Sequence, residues 1–196
     1  YRIAFIGDSP GFDEVNAQQP FMGQAGRMLE GSMQAVGIAR RACYLGNVML
    51  FRPQNNNLSR VSWNSSEIQG GLAVLADALR EFKPHIVVLL GEAPLKAALD
   101  PVTVHPLVQA RFKHSVANYR GSVFMCDKPE SPFFGFKCMA TYHPAKVLRQ
   151  YDLLPLFQFD LRRARQEGDE PDLDHTPPRI DIDLSPFAVI DKIEAI

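Results

Sequence analysis

Asp8, Ser9, Asn47 and His143 are the residues whose types and positions most invite chemistry. Asp8 and Ser9 belong to Gly7-Asp8-Ser9-Pro10-Gly11, which halts the apolar run from Tyr1 to Ile6. Glycine and proline at that density end a strand in a tight loop, leaving a carboxylate and a hydroxyl at its carboxyl end. Asn47 comes towards the end of a second apolar run, Gly91 closes a third, and His143 follows the last. In a parallel α/β sheet, ligands bind beyond the carboxyl ends of the strands, where loops and helix N-termini converge. A carboxylate, an amide and an imidazole on that edge are what a pocket for a small molecule or a nucleobase needs.

A second chemistry competes for the same loop. Gly7 to Gly11 matches G-x-S-x-G, and its GDS triplet resembles the nucleophile block of GDS-type lipases and esterases, with Ser9 as nucleophile. Asp172-Leu173-Asp174-His175 would supply the acid and base as a DxxH. Activation of Ser9 requires that histidine within hydrogen-bond reach, and an acidic, proline-rich segment does nothing to fix it there.

The positions need a sheet, and the hydrophobic pattern predicts one. Tyr1 to Ile6, Cys43 to Phe51 and His85 to Leu90 read as strands apolar on both faces, the mark of a covered parallel sheet. Ala25, Met28, Leu29, Met33 and Val36 recur at helical spacing ahead of Gly37. Ile68, Leu72, Leu75, Ala76, Leu79 and Phe82 form another stripe, capped by Ser65 or Ser66 and ended by Pro84. Ala93 to Leu99 predicts a further helix, and residues 100–121 are irregular. Val123 to Cys126 and Phe136 to Tyr142 read as strands, His143-Pro144 opens a helix, and Leu153 to Arg165 is a final amphipathic one. Strands alternating with helices predict an α/β fold, a three-layer α/β/α sandwich around a central four-stranded, mostly parallel sheet.

Composition narrows the class. A chain of 196 residues, 46% hydrophobic and 22% charged, is an ordinary globular protein with room for one domain. Residues 1–165 form that domain, and residues 166–196 an acidic Pro-rich linker with the start of a following segment. Phe187, Ile190, Ile193 and Ile196 begin a stripe that stops in mid-pattern, which predicts a domain cut from a longer polypeptide. The net charge of -1 divides into +6 over residues 1–165 and -7 over residues 166–196. A basic body suits a polyanion such as nucleic acid, and suits ordinary solvated charge as well. Cys43, Cys126 and Cys138 are too few and too scattered for a disulfide framework or a CxxC metal site, and read as buried thiols. No signal-peptide pattern and no membrane-length apolar run is present, so the expected setting is intracellular, with no membrane partner.

Six segments carry a resemblance. GDSPGFDE, PFMGQAGRML, YLGNVMLFRPQNN, IVVLLGEAPLKAAL, YRG and TYHPAKVLR, in that order, cover most of residues 3–149. Together they resemble the uracil-DNA glycosylase superfamily, closest to its iron-sulfur class, family 4. The resemblance implies a monofunctional N-glycosylase that flips uracil, or a related pyrimidine, out of single- or double-stranded DNA and uses water as nucleophile. Phe21 would stack on the extruded base, worth roughly 1–3 kcal/mol. Asn47 would pair with the polar edge of uracil, and His143 would donate to uracil O2 as negative charge develops on the leaving base. Lys146, Val147, Leu148 and Arg149 resemble the family's intercalation loop, and Arg52, Arg60, Lys113 and Arg120 are further phosphate candidates. No lysine nucleophile stands in the matched segments, which argues against lyase chemistry.

The chain departs from the family at two places. The family's GEAPG or GEGPG is here GDSPG, so Asp8 replaces a glutamate one methylene longer and Ser9 replaces Ala or Gly. Asp8 keeps the charge that would hold water or steady the sugar cation, Ser9 can contact the base through its N–H, and Glu14 lies near the same loop. The cluster cysteine that follows the strand-two segment is here Phe51, and residues 65–83 contain no cysteine. A cluster needs its thiolates, so the expectation is no metal and no cofactor, with packing around Phe51 in the structural role. The alternative to the enzyme is a DNA-binding module of the same fold with a vestigial pocket, fused to a polymerase or other replication domain, as in some viral proteins. The setting would then be host cytoplasm.

Overall fold

The computed structural model describes residues 1–54, 61–100 and 115–173. Strands β1 (Ile3–Gly7), β2 (Tyr44–Asn47), β3 (Ile86–Leu90), β4 (Val123–Met125) and β5 (Lys137–Thr141) form one sheet in the order β2-β1-β3-β5-β4. Every residue of β1, β3 and β5 is buried, which is why their sequences show no polar alternation. The fold class is α/β, as expected, but the sheet has five strands rather than four. β4 adds antiparallel to the edge of β5, Val123 opposite Met139, while the other pairs are parallel. β2 ends at Asn47, earlier than its apolar run, although the Val48 and Met49 amides still donate to the Gly7 and Asp8 carbonyls at 3.0 and 3.0 Å.

Helices α1 (Phe12–Ala17), α2 (Gln24–Ala35), α3 (Ser66–Phe82), α4 (Glu92–Leu99), α5 (Val116–Tyr119), α6 (Pro144–Arg149) and α7 (Leu154–Glu167) flank the sheet. α1 buries none of its residues, so it leaves no stripe for the sequence to reveal. α2 packs on α6 and α7, whereas α3 meets β2 and α4 meets β3. Leu29 and Met33 of α2, Leu75 and Leu79 of α3, and Phe157 and Leu161 of α7 reach the same core as the strands. Ser65 caps α3 by accepting the Ile68 amide. No helix among the described residues is long and apolar enough to cross a membrane.

A buried ionic lock fixes the end of β5. The wholly buried Asp160 accepts from Thr141 Oγ1 at 2.7 Å and from Arg120 Nη2 at 2.7 Å and Nε at 3.2 Å. Arg120 is thus committed to the interior and not to phosphate. Asp160→Ala would leave the guanidinium and the Thr141 hydroxyl unmatched. It should cost about 3 kcal/mol, read as a lower urea midpoint at unchanged slope. Two residues beyond Thr141 comes His143.

Candidate functional site

The loop after β1 carries Asp8 to the N-terminus of α4, where its Oδ1 accepts the Ala93 amide at 3.2 Å. Burial lifts its carboxyl from 3.8 to about 7; the Ala93 N–H pulls it back in part, and the Glu92 charge pushes the same way as burial. Near neutral pH this group sits at the midpoint of its titration. Gly91, between β3 and α4, lies against both this carboxylate and the histidine: a Cβ there would stand 3.0 Å from Asp8 Oδ1 and 3.2 Å from His143 Cβ.

Asn47 ends β2 opposite Gly7 in the parallel register. A Cβ on Gly7 would lie 2.7 Å from Asn47 Oδ1 and 2.7 Å from Phe21 Cζ, so the amide and the ring meet over a residue that must have no side chain. Phe21 is itself buried, and its ring centroid is 6.3 Å from that of His143, tilted by 31°. An aromatic ring, an amide and an imidazole separated by as much as 122 positions along the chain therefore form one cluster. No local signal in the sequence encodes that meeting.

His143 is the N-cap of α6, and its Nδ1 accepts the Ala145 amide at 3.1 Å. An Nδ1 that accepts carries no proton, so the neutral ring holds its N–H on Nε2. Burial, helped by the Arg149 charge and opposed by Glu14, pushes the His143 pKa down from 6.5 to about 4. The group is a neutral hydrogen-bond donor at physiological pH.

These residues line a cavity of about 530 Å³ together with Ser9, Pro10, Glu14 and Arg149, a size usual for small-molecule sites. Glu14 lines its wall, but its Oε1 is occupied by the Met22 and Gly23 amides at 3.1 and 3.0 Å. On α6, Val147 is fully buried and anchors the helix, so it is not free to enter a duplex, whereas Leu148 is 40% exposed. Lys146 Nζ stands 4.8 Å from the Tyr142 ring centroid, and the Arg52 guanidinium 5.7 Å from that of Phe12. Arg60 and Lys113 lie outside the described residues.

Of the esterase constellation, the described acid stands away from Ser9. Asp172 is exposed, and its carbonyl accepts from Lys137 Nζ at 3.0 Å, at the start of β5 and hence on the sheet edge opposite Ser9. His175 lies outside the described residues. The described cysteines do not fit a four-thiolate cluster either: Cys43 sits beside β2, whereas Cys126 and Cys138 belong to the β4–β5 side of the sheet, and no metal-competent group of side chains occurs among the described residues. Phe51, where the resemblance implies a cluster cysteine, packs half-buried against the core.

Comparison with known proteins is consistent along the chain. A family model described as the uracil DNA glycosylase superfamily matches residues 1–165. The chain is 28% identical over 159 residues to a type-4 uracil-DNA glycosylase of Pyrobaculum aerophilum, covering 81% of this chain and 74% of that protein. It is 27% identical to one of Archaeoglobus fulgidus, over 83% of this chain and 74% of the relative. To one of Thermotoga maritima it is 30% identical, over 76% of this chain and 67% of the relative.

Proposed function

Because the chain belongs to the uracil DNA glycosylase superfamily, we propose that it hydrolyses the N-glycosidic bond of uracil in DNA, with the base turned out of the stack into the cavity beside Phe21, Asn47 and His143. The observation that carries this reading is the meeting of stacking ring, pairing amide and neutral Nε2–H donor at one 530 Å³ cavity. Phe21 offers the ring face. Asn47 can donate to uracil O4 and accept from N3–H, a pattern that cytosine reverses.

When the bond from N1 to C1′ breaks, its electron pair leaves with the base and positive charge remains on the sugar. His143 Nε2–H at uracil O2 stabilises that leaving anion more than it stabilises bound substrate. Ionised Asp8 faces the opposite need: it steadies the sugar cation and orients the water whose oxygen joins C1′. The proton released by water passes to Asp8 and then to solvent, and the departing uracil anion takes a proton from solvent. Leu148 would fill the space the base vacates, with Lys146, Arg149 and Arg52 against phosphates.

Uracil release from a single-stranded oligonucleotide, set beside thymine, hypoxanthine and 5-substituted uracils, tests the reading. Asn47→Ala should narrow the uracil-over-cytosine ratio of kcat/KM by about 10- to 100-fold, because each base would then leave polar groups equally unpaired. DNA binding without release at high protein concentration would favour the non-catalytic module. The shorter Asp8, half protonated near neutrality, is the feature that module reading would lean on.

A further inference from the structure

We propose that Glu14 and Arg40 are positioning residues that hold the Pro20-Phe21-Met22 turn in a left-handed conformation and thereby set the Phe21 ring over the base. The proposal rests on the reading of Phe21 as the stacking platform. Phe21 has φ of 57°, a region that the Cβ of an aromatic L-residue disfavours. Such a backbone persists only where its surroundings over-determine it, and it clusters at ligand clamps.

Three separate elements supply that constraint. From α1, Glu14 Oε1 accepts the amides of both Met22 and Gly23, the two residues after Phe21. From the single helical turn Arg40–Ala42 ahead of β2, Arg40 Nη2 donates to the Pro20 carbonyl at 2.8 Å, the residue before it. From α2, Gly26 closes the third side: a Cβ there would stand 1.8 Å from the Phe21 carbonyl oxygen. The chain is gripped on both flanks of one strained residue. Arg40 also bears a cost, since its Nη1 is buried without a hydrogen-bond partner, the one such side-chain atom among the described residues. A buried donor left unpaired calls for a reason. Reach to the Pro20 carbonyl provides it.

Glu14 works here as an acceptor, not as a charge, and that separates this role from direct catalysis. Glu14→Ala removes the acceptor, and the turn can relax to an ordinary backbone with the ring displaced. Glu14→Gln keeps a carbonyl oxygen that can accept both amides. The expected result is a KM for uracil-containing single strands raised about 5- to 50-fold in E14A with kcat within threefold of wild type, and most of that loss recovered in E14Q. Arg40→Ala should raise KM in the same direction. Hydrogen exchange of the Met22 and Gly23 amides, measured without DNA, should be fast in E14A and protected in wild type and E14Q. Because α1 buries no residue, E14A should fold. Equal loss in E14Q and E14A would show that charge matters instead and would overturn the brace, as would unchanged KM and amide protection in E14A. A wild-type protein that releases no uracil would sink the glycosylase reading alone, because amide exchange reads the brace independently.

Discussion

His143→Ala should lower kcat for uracil release by roughly 10²–10³, with KM close to wild type, because it removes a donor whose bond strengthens only as charge reaches uracil O2. The geometry makes the prediction specific to a neutral ring. Nδ1 is held by the Ala145 amide, so Nε2 carries the proton, and burial keeps the ring uncharged down to about pH 4. Loss of the cap on α6 adds about 1 kcal/mol of destabilisation, too little to unfold the domain. Single-turnover kinetics under saturating enzyme, with a melting curve beside them, separate the two effects. A variant that retains wild-type kcat would end the role given to this side chain.

The second large effect is in the pH profile. If ionised Asp8 steadies the sugar cation, kcat/KM should climb about tenfold per pH unit in acid and level off above pH 7, where the carboxyl has lost its proton. His143 cannot produce this limb, since it titrates near pH 4. Asp8→Asn should flatten the profile between pH 5 and 8 and hold the rate about 10²–10³ below the wild-type plateau. A limb near pH 7 that survives in D8N would assign it to another group.

Stability should follow the same two residues with opposite signs. Between pH 3.8 and 7 the folded chain keeps a proton on Asp8 that the unfolded chain has released, so this group makes the fold less stable as pH rises. Between pH 6.5 and 4 the unfolded chain protonates His143 and the folded chain does not, so this group makes it less stable as pH falls. D8N should therefore gain stability relative to wild type on the alkaline side.

Much of the architecture was legible because it rests on local periodicity. Apolar runs of strand length that end in glycine or at an X-Pro step gave β1 and β3 closely, and the 3.6-residue stripes of α2, α3 and α7 fell within one or two residues of the observed helices. The order of polar residues at strand ends was enough to place Asp8, Asn47 and His143 on one edge, since a parallel sheet puts all its carboxyl ends together. α1 escaped because it buries no residue and so shows no apolar stripe, whereas β4 was read as the strand Val123 to Cys126 but left out of the sheet count, since local pattern does not say which edge a three-residue strand joins.

By itself, then, the chain's alphabet and spacing determined an α/β sheet, its carboxyl edge, and which side chains stand there. Tertiary structure alone decided what those side chains can do. Val147 and Leu148 are neighbours of similar chemistry on α6, yet one is on its buried face and the other is exposed. Glu14 looks like a ligand-binding acid, and the fold turns its Oε1 to two backbone amides. Asp8 is an ordinary carboxylate until α4 and the strand ends take its water away. Protonation states, free donors and occupied acceptors depend on which distant groups arrive at the same place, and that sum of desolvation and hydrogen bonding exists only once the chain has folded.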